Sequence, residues 1–212
     1  MIYLKTFEGM NEKYRGISEE EFINLFKENC KNFSFKNDPL YRGDEEVFEF
    51  GYHNPIERST KSITFLDYFA QKEKDLEKYP VLRKNSMFGL GGTDIKSLIR
   101  VSSMLASMDD ECPSYRVIPF DNSNLVFCPI FDLKMMDSDG EIGTNVQIND
   151  DSFIMVEYTE NFKVPVKELT KIQKNIFGNT KYTKHGFEFF TSSPCLLIPH
   201  QKRRFFKKTN IY

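Results

Sequence analysis

Phe22, Leu25, Phe26 and Cys30 recur at the spacing of one helical face, which predicts a helix over about Ser18 to Asn32. Ser18 with Glu21 three residues later forms a capping box, and Glu19 to Glu21 suit the positive end of the helix dipole. The same periodicity at Phe65, Leu66, Phe69 and Leu76 predicts a helix over Ile63 to Lys78, which Pro80 ends. A third helix is expected from Asp94, acting as the cap, to about Met108, with Ile95, Leu98, Ile99, Met104 and Leu105 inward. A fourth covers Val166 to Phe177 and stops at Gly178 and Asn179.

Short apolar or alternating runs bounded by turn residues predict strands at Leu40 to Arg42, Ser86 to Leu90, Tyr115 to Phe120, Asn124 to Phe127, Ser152 to Tyr158 and Cys195 to Ile198. Asp44 to Tyr52 is acidic and aromatic without a clear period, and Met135 to Asp150 reads as a loop or insertion. Helices concentrate in the N-terminal half and strands spread through the second, a pattern of α+β rather than of regular βαβ units.

The chain has 212 residues, of which 40% are hydrophobic, with 21 Phe and no Trp. We therefore expect one domain over residues 1–212 with a core of aromatic packing, followed by a basic tail at about 200–212. The net charge of -2 excludes a global field that would hold the protein on nucleic acid or an anionic membrane. Met1 to Gly9 lacks the features of a signal peptide, and no run approaches the ~20 apolar residues of a membrane span. The expectation is a cytoplasmic protein. Cys30, Cys112, Cys128 and Cys195 are far apart, without a CxxC pair or a nearby histidine, which predicts buried thiols and no structural metal.

Candidate chemistry begins at Tyr41-Arg42-Gly43. An arginine on a strand end is either a salt-bridged structural residue or a planar, bidentate ligand for phosphate, with Gly43 letting the backbone turn away. Two later stretches accompany it: Asn85 to Thr93, a strand running into glycines, and Gly186 to Pro199, which carries Glu188 ahead of an apolar strand. Glu188 alternates with Phe187, Phe189 and Phe190, so it also reads as the outward residue of a half-buried strand; Glu157 is its rival as a functional carboxylate.

Tyr41-Arg42-Gly43, Arg58-Ser59, Tyr79-Pro80 before Arg83 and Ser86, and Tyr115-Arg116-Val117-Ile118-Pro119-Phe120-Asp121 resemble proteins of tailed bacteriophages with ADP-ribosyltransferase-like folds. The resemblance covers roughly residues 18–135, with a weaker continuation at the C-terminus. It implies a split β-sheet core, NAD as substrate, and a mono-ADP-ribosyltransferase, an effector or toxin in a host cytoplasm. Arg42, Tyr41, Gly43, Arg58 and Tyr68 would then hold the cofactor, while Glu188, Ser86 and Thr93 would serve catalysis. The family's Ser-Thr-Ser tripeptide is absent, with Ser86, Gly92 and Thr93 its nearest approach. The acceptor would be a macromolecule, protein or nucleic acid.

Other sites find less support. Gly89 to Gly92 lacks the lysine of a P-loop and the spacing of a dinucleotide fingerprint, and His53, His185 and His200 have no matching nucleophile. Lys202, Arg203, Arg204, Lys207 and Lys208, interleaved with Phe205 and Phe206, read as a solvated end or as a nucleic-acid contact. The alternative to an enzyme is a non-catalytic accessory or inhibitor protein that keeps the fold and acts by binding a partner protein.

Overall fold

The computed structural model describes residues 14–34, 39–44, 46–54, 86–106, 112–129, 153–160, 162–178 and 186–200. In chain order the elements are β1 (Tyr14–Gly16), α1 (Glu19–Asn29), β2 (Leu40–Gly43), β3 (Gly51–His53), β4 (Met87–Gly91), α2 (Ile95–Ala106), β5 (Ser114–Pro119), β6 (Asn124–Cys128), β7 (Ile154–Glu157), α3 (Val166–Phe177), β8 (Phe187–Thr191) and β9 (Cys195–Pro199). The architecture is α+β: one large sheet whose strand pairs are all antiparallel, with three helices among the described residues.

The helix signals act as the sequence indicates. Ser18 caps α1, its hydroxyl accepting from the Glu21 backbone N–H at 3.1 Å. Asp94 does the same for α2, accepting from Ser97 N–H at 3.2 Å. The expected helix over Ile63 to Lys78, the insertion Met135 to Asp150 and the basic tail lie outside the described residues.

The nine strands among the described residues are ordered β1-β3-β9-β5-β2-β4-β8-β6-β7, so β2, β4 and β8 are consecutive in the interior of the sheet. β1 and β3, three residues each, carry no run long enough to show a period of two. β8 corrects a sequence expectation. Glu188 precedes the last strand as expected, within a strand of its own, but it is not the outward residue of a half-buried strand, because all five residues of β8 are buried. A strand covered on both faces loses the apolar-polar alternation that marks a half-exposed one.

On one face, Leu40, Tyr115, Val117, Phe127, Phe187, Phe189 and Leu197 form a continuous core to which α3 contributes Leu169. On the other, α1 sets Phe22, Phe26 and Cys30 against Phe50, Ile118, Leu196 and Ile198, while α2 sets Leu98 and Val101 against Tyr41 and Leu90. Among the described residues, no helix is long and apolar enough to cross a membrane.

Phe22 is fully buried, with its ring 4.9 Å from that of Phe50. Phe22→Ala should cost about 3–5 kcal/mol of unfolding free energy through lost burial and the cavity left behind. Ser18→Ala should cost about 1 kcal/mol, since only one capping bond is lost. Urea denaturation of both variants checks the ranking; equal losses would mean that α1 is not anchored through Phe22.

Candidate functional site

β2 and β4 pair only through Leu40↔Gly91 and Tyr41↔Leu90. Gly89, next along β4, is pressed against the Tyr41 carbonyl and the Phe189 ring so closely that a Cβ would collide with both. Arg42 occupies the point where the ladder ends. Its Nη1 donates to the Phe88 carbonyl at 2.8 Å and its guanidinium carbon lies 4.8 Å from the centroid of the Phe88 ring. Nε donates to Asp44 at 3.2 Å, in an ion pair whose two side chains are each 12% exposed. Arg42 is therefore on an interior strand and held by a neighbouring carboxylate.

Strand alternation separates the expected site residues. Arg42 faces Tyr115 across β5 and shares the face of Leu40, whereas Glu188 faces Leu90 across β4 and shares the face of Tyr41. Phe88 alternates onto the Glu188 face, so the long Arg42 side chain crosses from one face toward the other where β2 leaves β4. Phe88 and Leu90 are two residues apart, about 6.5 Å along the strand. The guanidinium and the Glu188 row thus meet β4 at adjacent same-face positions.

Glu188 is 2% exposed, flanked across the strands by Leu90 and Cys128. Its rival Glu157 is exposed, on the outermost strand beside Asn124. Ser86 is buried immediately before β4, and Thr93 is exposed in the turn that leads into α2. Gly43 lies opposite Ser114. Arg58 and Tyr68 are outside the described residues.

A second arginine, passed over as part of a motif, is more deeply placed. Arg116 is 3% exposed; its Nη1 donates to the Tyr41 hydroxyl at 2.6 Å, and its guanidinium lies 4.9 Å from the Tyr41 ring and 5.8 Å from that of Phe33. His200 approaches the other surroundings of Tyr41, ring to ring at 5.9 Å. Arg116, Tyr41, Leu90 and Glu188 are opposed in turn across four strands and so share a face. α2 packs over the two middle members, which places Arg116 and Glu188 on either side of it. The signal in the sequence was one charged residue inside an otherwise apolar strand.

Tyr115 secures the segment after Arg42. Its hydroxyl donates to the Glu46 carbonyl at 2.8 Å and accepts from Phe48 N–H at 3.3 Å, and its ring stacks on Phe48 at 4.4 Å. Burial raises the phenol's pKa, which keeps the proton that this bond needs. Asp44 Oδ1 accepts from Glu46 N–H at 3.3 Å. Glu46 is exposed, and its carboxyl is raised modestly from the usual carboxylate range, by partial desolvation and then by repulsion from Asp44.

A carboxyl raised in the folded state binds its proton more tightly there than in the unfolded chain. Stability linked to Glu46 is thus fully present below the unfolded value and lost as pH rises through the folded one. Because Glu46 is exposed to screening solvent, Glu46→Gln should be only slightly more stable than the parent at about pH 7 and indistinguishable from it at about pH 4, as read by urea unfolding.

Burial also pushes the Cys30 and Cys195 thiols well above their usual range, with Arg42 partly opposing the shift at Cys195. Cys128 is buried as well, and Cys112 is half-buried. A thiol-reactive reagent should therefore label Cys112 first in the folded protein; rapid labelling of Cys195 would contradict the core described above.

Compared with known proteins, the chain matches no family model, no curated protein and no solved structure.

Proposed function

We propose that this chain is an NAD-dependent mono-ADP-ribosyltransferase with an ADP-ribosyltransferase-like split-sheet fold, acting on a protein or nucleic-acid acceptor. One observation carries the reading: Arg42, Ser86 and Glu188, distant in the chain, belong to or adjoin β2, β4 and β8, three consecutive strands. The chemistry asks for such a set. Cleavage of the bond between ribose C1′ and nicotinamide sends its electron pair to the departing nitrogen and leaves positive charge at C1′. A carboxylate beside that carbon stabilises the transition state more than the ground state. The acceptor's lone pair then forms the new bond to C1′, and its proton passes to the Glu188 carboxylate as general base. Arg42 contributes guanidinium donors toward the pyrophosphate, and Ser86 a hydroxyl just before the strand between.

A second reading draws on the ion pair at Arg42. A guanidinium committed to Asp44 and to the Phe88 carbonyl also suits a structural role, in a protein that keeps the fold and binds a partner without turnover. NAD separates the two readings. Incubation with labelled NAD and cell extract should yield a labelled macromolecule, and protease or nuclease treatment of the product identifies the acceptor class.

Glu188→Gln keeps size and hydrogen bonding but loses the charge, so turnover should fall by about a hundredfold or more with little change in NAD affinity. Glu157→Gln should leave turnover intact. Full turnover in a folded Glu188→Gln protein would sink the assignment of the carboxylate, and absence of any NAD binding by the parent would leave the binding-protein reading.

A further inference from the structure

The net charge of -2 conceals a division between helices. α1, on the face of the sheet that carries Arg116 and Glu188, holds Glu19, Glu20, Glu21 and Glu28 against Lys27 alone. α3, on the opposite face, holds Lys167, Lys171 and Lys174 against Glu168. The three lysines recur at i, i+4 and i+7, so they share one side of the helix, roughly opposite the buried Leu169 and Gln173. All three are exposed, as is Lys163 in the approach to the helix, and among the described residues none of them pairs with a carboxylate. Helix stability does not account for the set. Lys174 suits the negative end of the dipole, but Lys167 sits in the first turn, where a cation is unfavourable.

We propose that the lysine side of α3 binds the sugar-phosphate backbone of a nucleic-acid strand. Its charges stand about one turn apart, about 5 Å along the axis, and their four-carbon stems let each ammonium meet a successive phosphate as a point charge. A nucleic acid offers an unbroken row of anions, and each phosphate neutralised releases condensed counterions, which drives binding. An acidic protein surface offers neither. An anionic membrane fits less well, because helices that lie on one bury their apolar side in it, and here Leu169 packs that side on the core. The lysines lie across the sheet from Glu188, so the inference goes beyond the candidate catalytic strands and holds under either functional reading above.

Fluorescence anisotropy of the full chain with a labelled single-stranded DNA of about 20 nucleotides provides the test. The parent should bind, with an affinity that falls as salt rises from about 50 to 200 mM. Glutamine at Lys167, Lys171 and Lys174 together should weaken binding by about tenfold or more at the lower salt. The same variant should flatten the slope of log affinity against log salt by about 2, since each contact to a single strand contributes about 0.7. Lys171→Gln alone should weaken binding by about threefold, whereas Lys27→Gln, an equal change of net charge on α1, should leave it unchanged. Arginine at the three positions keeps the charge and should keep the binding. Thermal unfolding checks that each variant is folded, and the single variants remain informative if the triple one is not. No binding by the parent overturns the proposal, and so does binding that the triple glutamine variant retains. Equal losses in Lys171→Gln and Lys27→Gln overturn it in favour of an unlocalised charge effect. Displacement of the DNA by polyglutamate at equal charge concentration, or equally tight association with phosphatidylserine vesicles, overturns it in favour of an acidic protein or a membrane.

Discussion

The bond from Arg42 to the Phe88 carbonyl, 2.8 Å long, lets β2 and β4 separate inside the sheet without stranding a polar backbone group. An interior carbonyl that loses its ladder donor costs on the order of 1–3 kcal/mol unless another donor replaces the missing one. Arg42 supplies that donor from a side chain, and Asp44 prevents the guanidinium from being a half-buried, unbalanced charge. The end of the β2–β4 ladder is thus compatible with a well-packed sheet. Phe88, the one residue of β4 that is not fully buried, lies under the Arg42 guanidinium, two residues along the strand from the row of Glu188.

Glycines tighten the structure around this point. Gly89 allows β4 to press against the Tyr41 carbonyl, where a side chain would force the strands apart. At the other end of β4, Gly92 and Gly186 bring the turn into α2 and the entry to β8 to within close contact, Gly186 with a φ of 88°. Glu188 follows two residues later, so its position along β8 depends on a backbone approach that only glycine permits. The packing of α2 over Tyr41 and Leu90 then divides the face into an Arg116 side and a Glu188 side.

Much of the local structure was legible in the chain because its causes are local. Ser18 and Glu21 start α1, Asp94 starts α2, and Gly178 ends α3 by short-range bonds that depend on neighbours a few residues away. Strands with continuous apolar runs, such as Ser114–Pro119 and Cys195–Pro199, announced themselves within a residue or two. The strand Gly51–His53 did not, since it is too brief to show a period, and Phe187–Thr191 read only as a half-buried strand because its cover on both faces comes from distant segments.

What the sequence by itself determined was the three described helices, the longer strands, the α+β class and the identity of the ionisable residues that had to be reconciled with a core. Only the tertiary structure decided where those residues meet. Strand order is set by pairing among segments far apart in sequence, and it makes β2, β4 and β8 neighbours. Register then decides faces: a shift of one residue would exchange Arg42 with Tyr41 as the neighbour of the Glu188 row. The partners Asp44 and Phe88 for Arg42, and Tyr41 and Phe33 for Arg116, follow from that register and from the burial that makes each charged group find a neighbour.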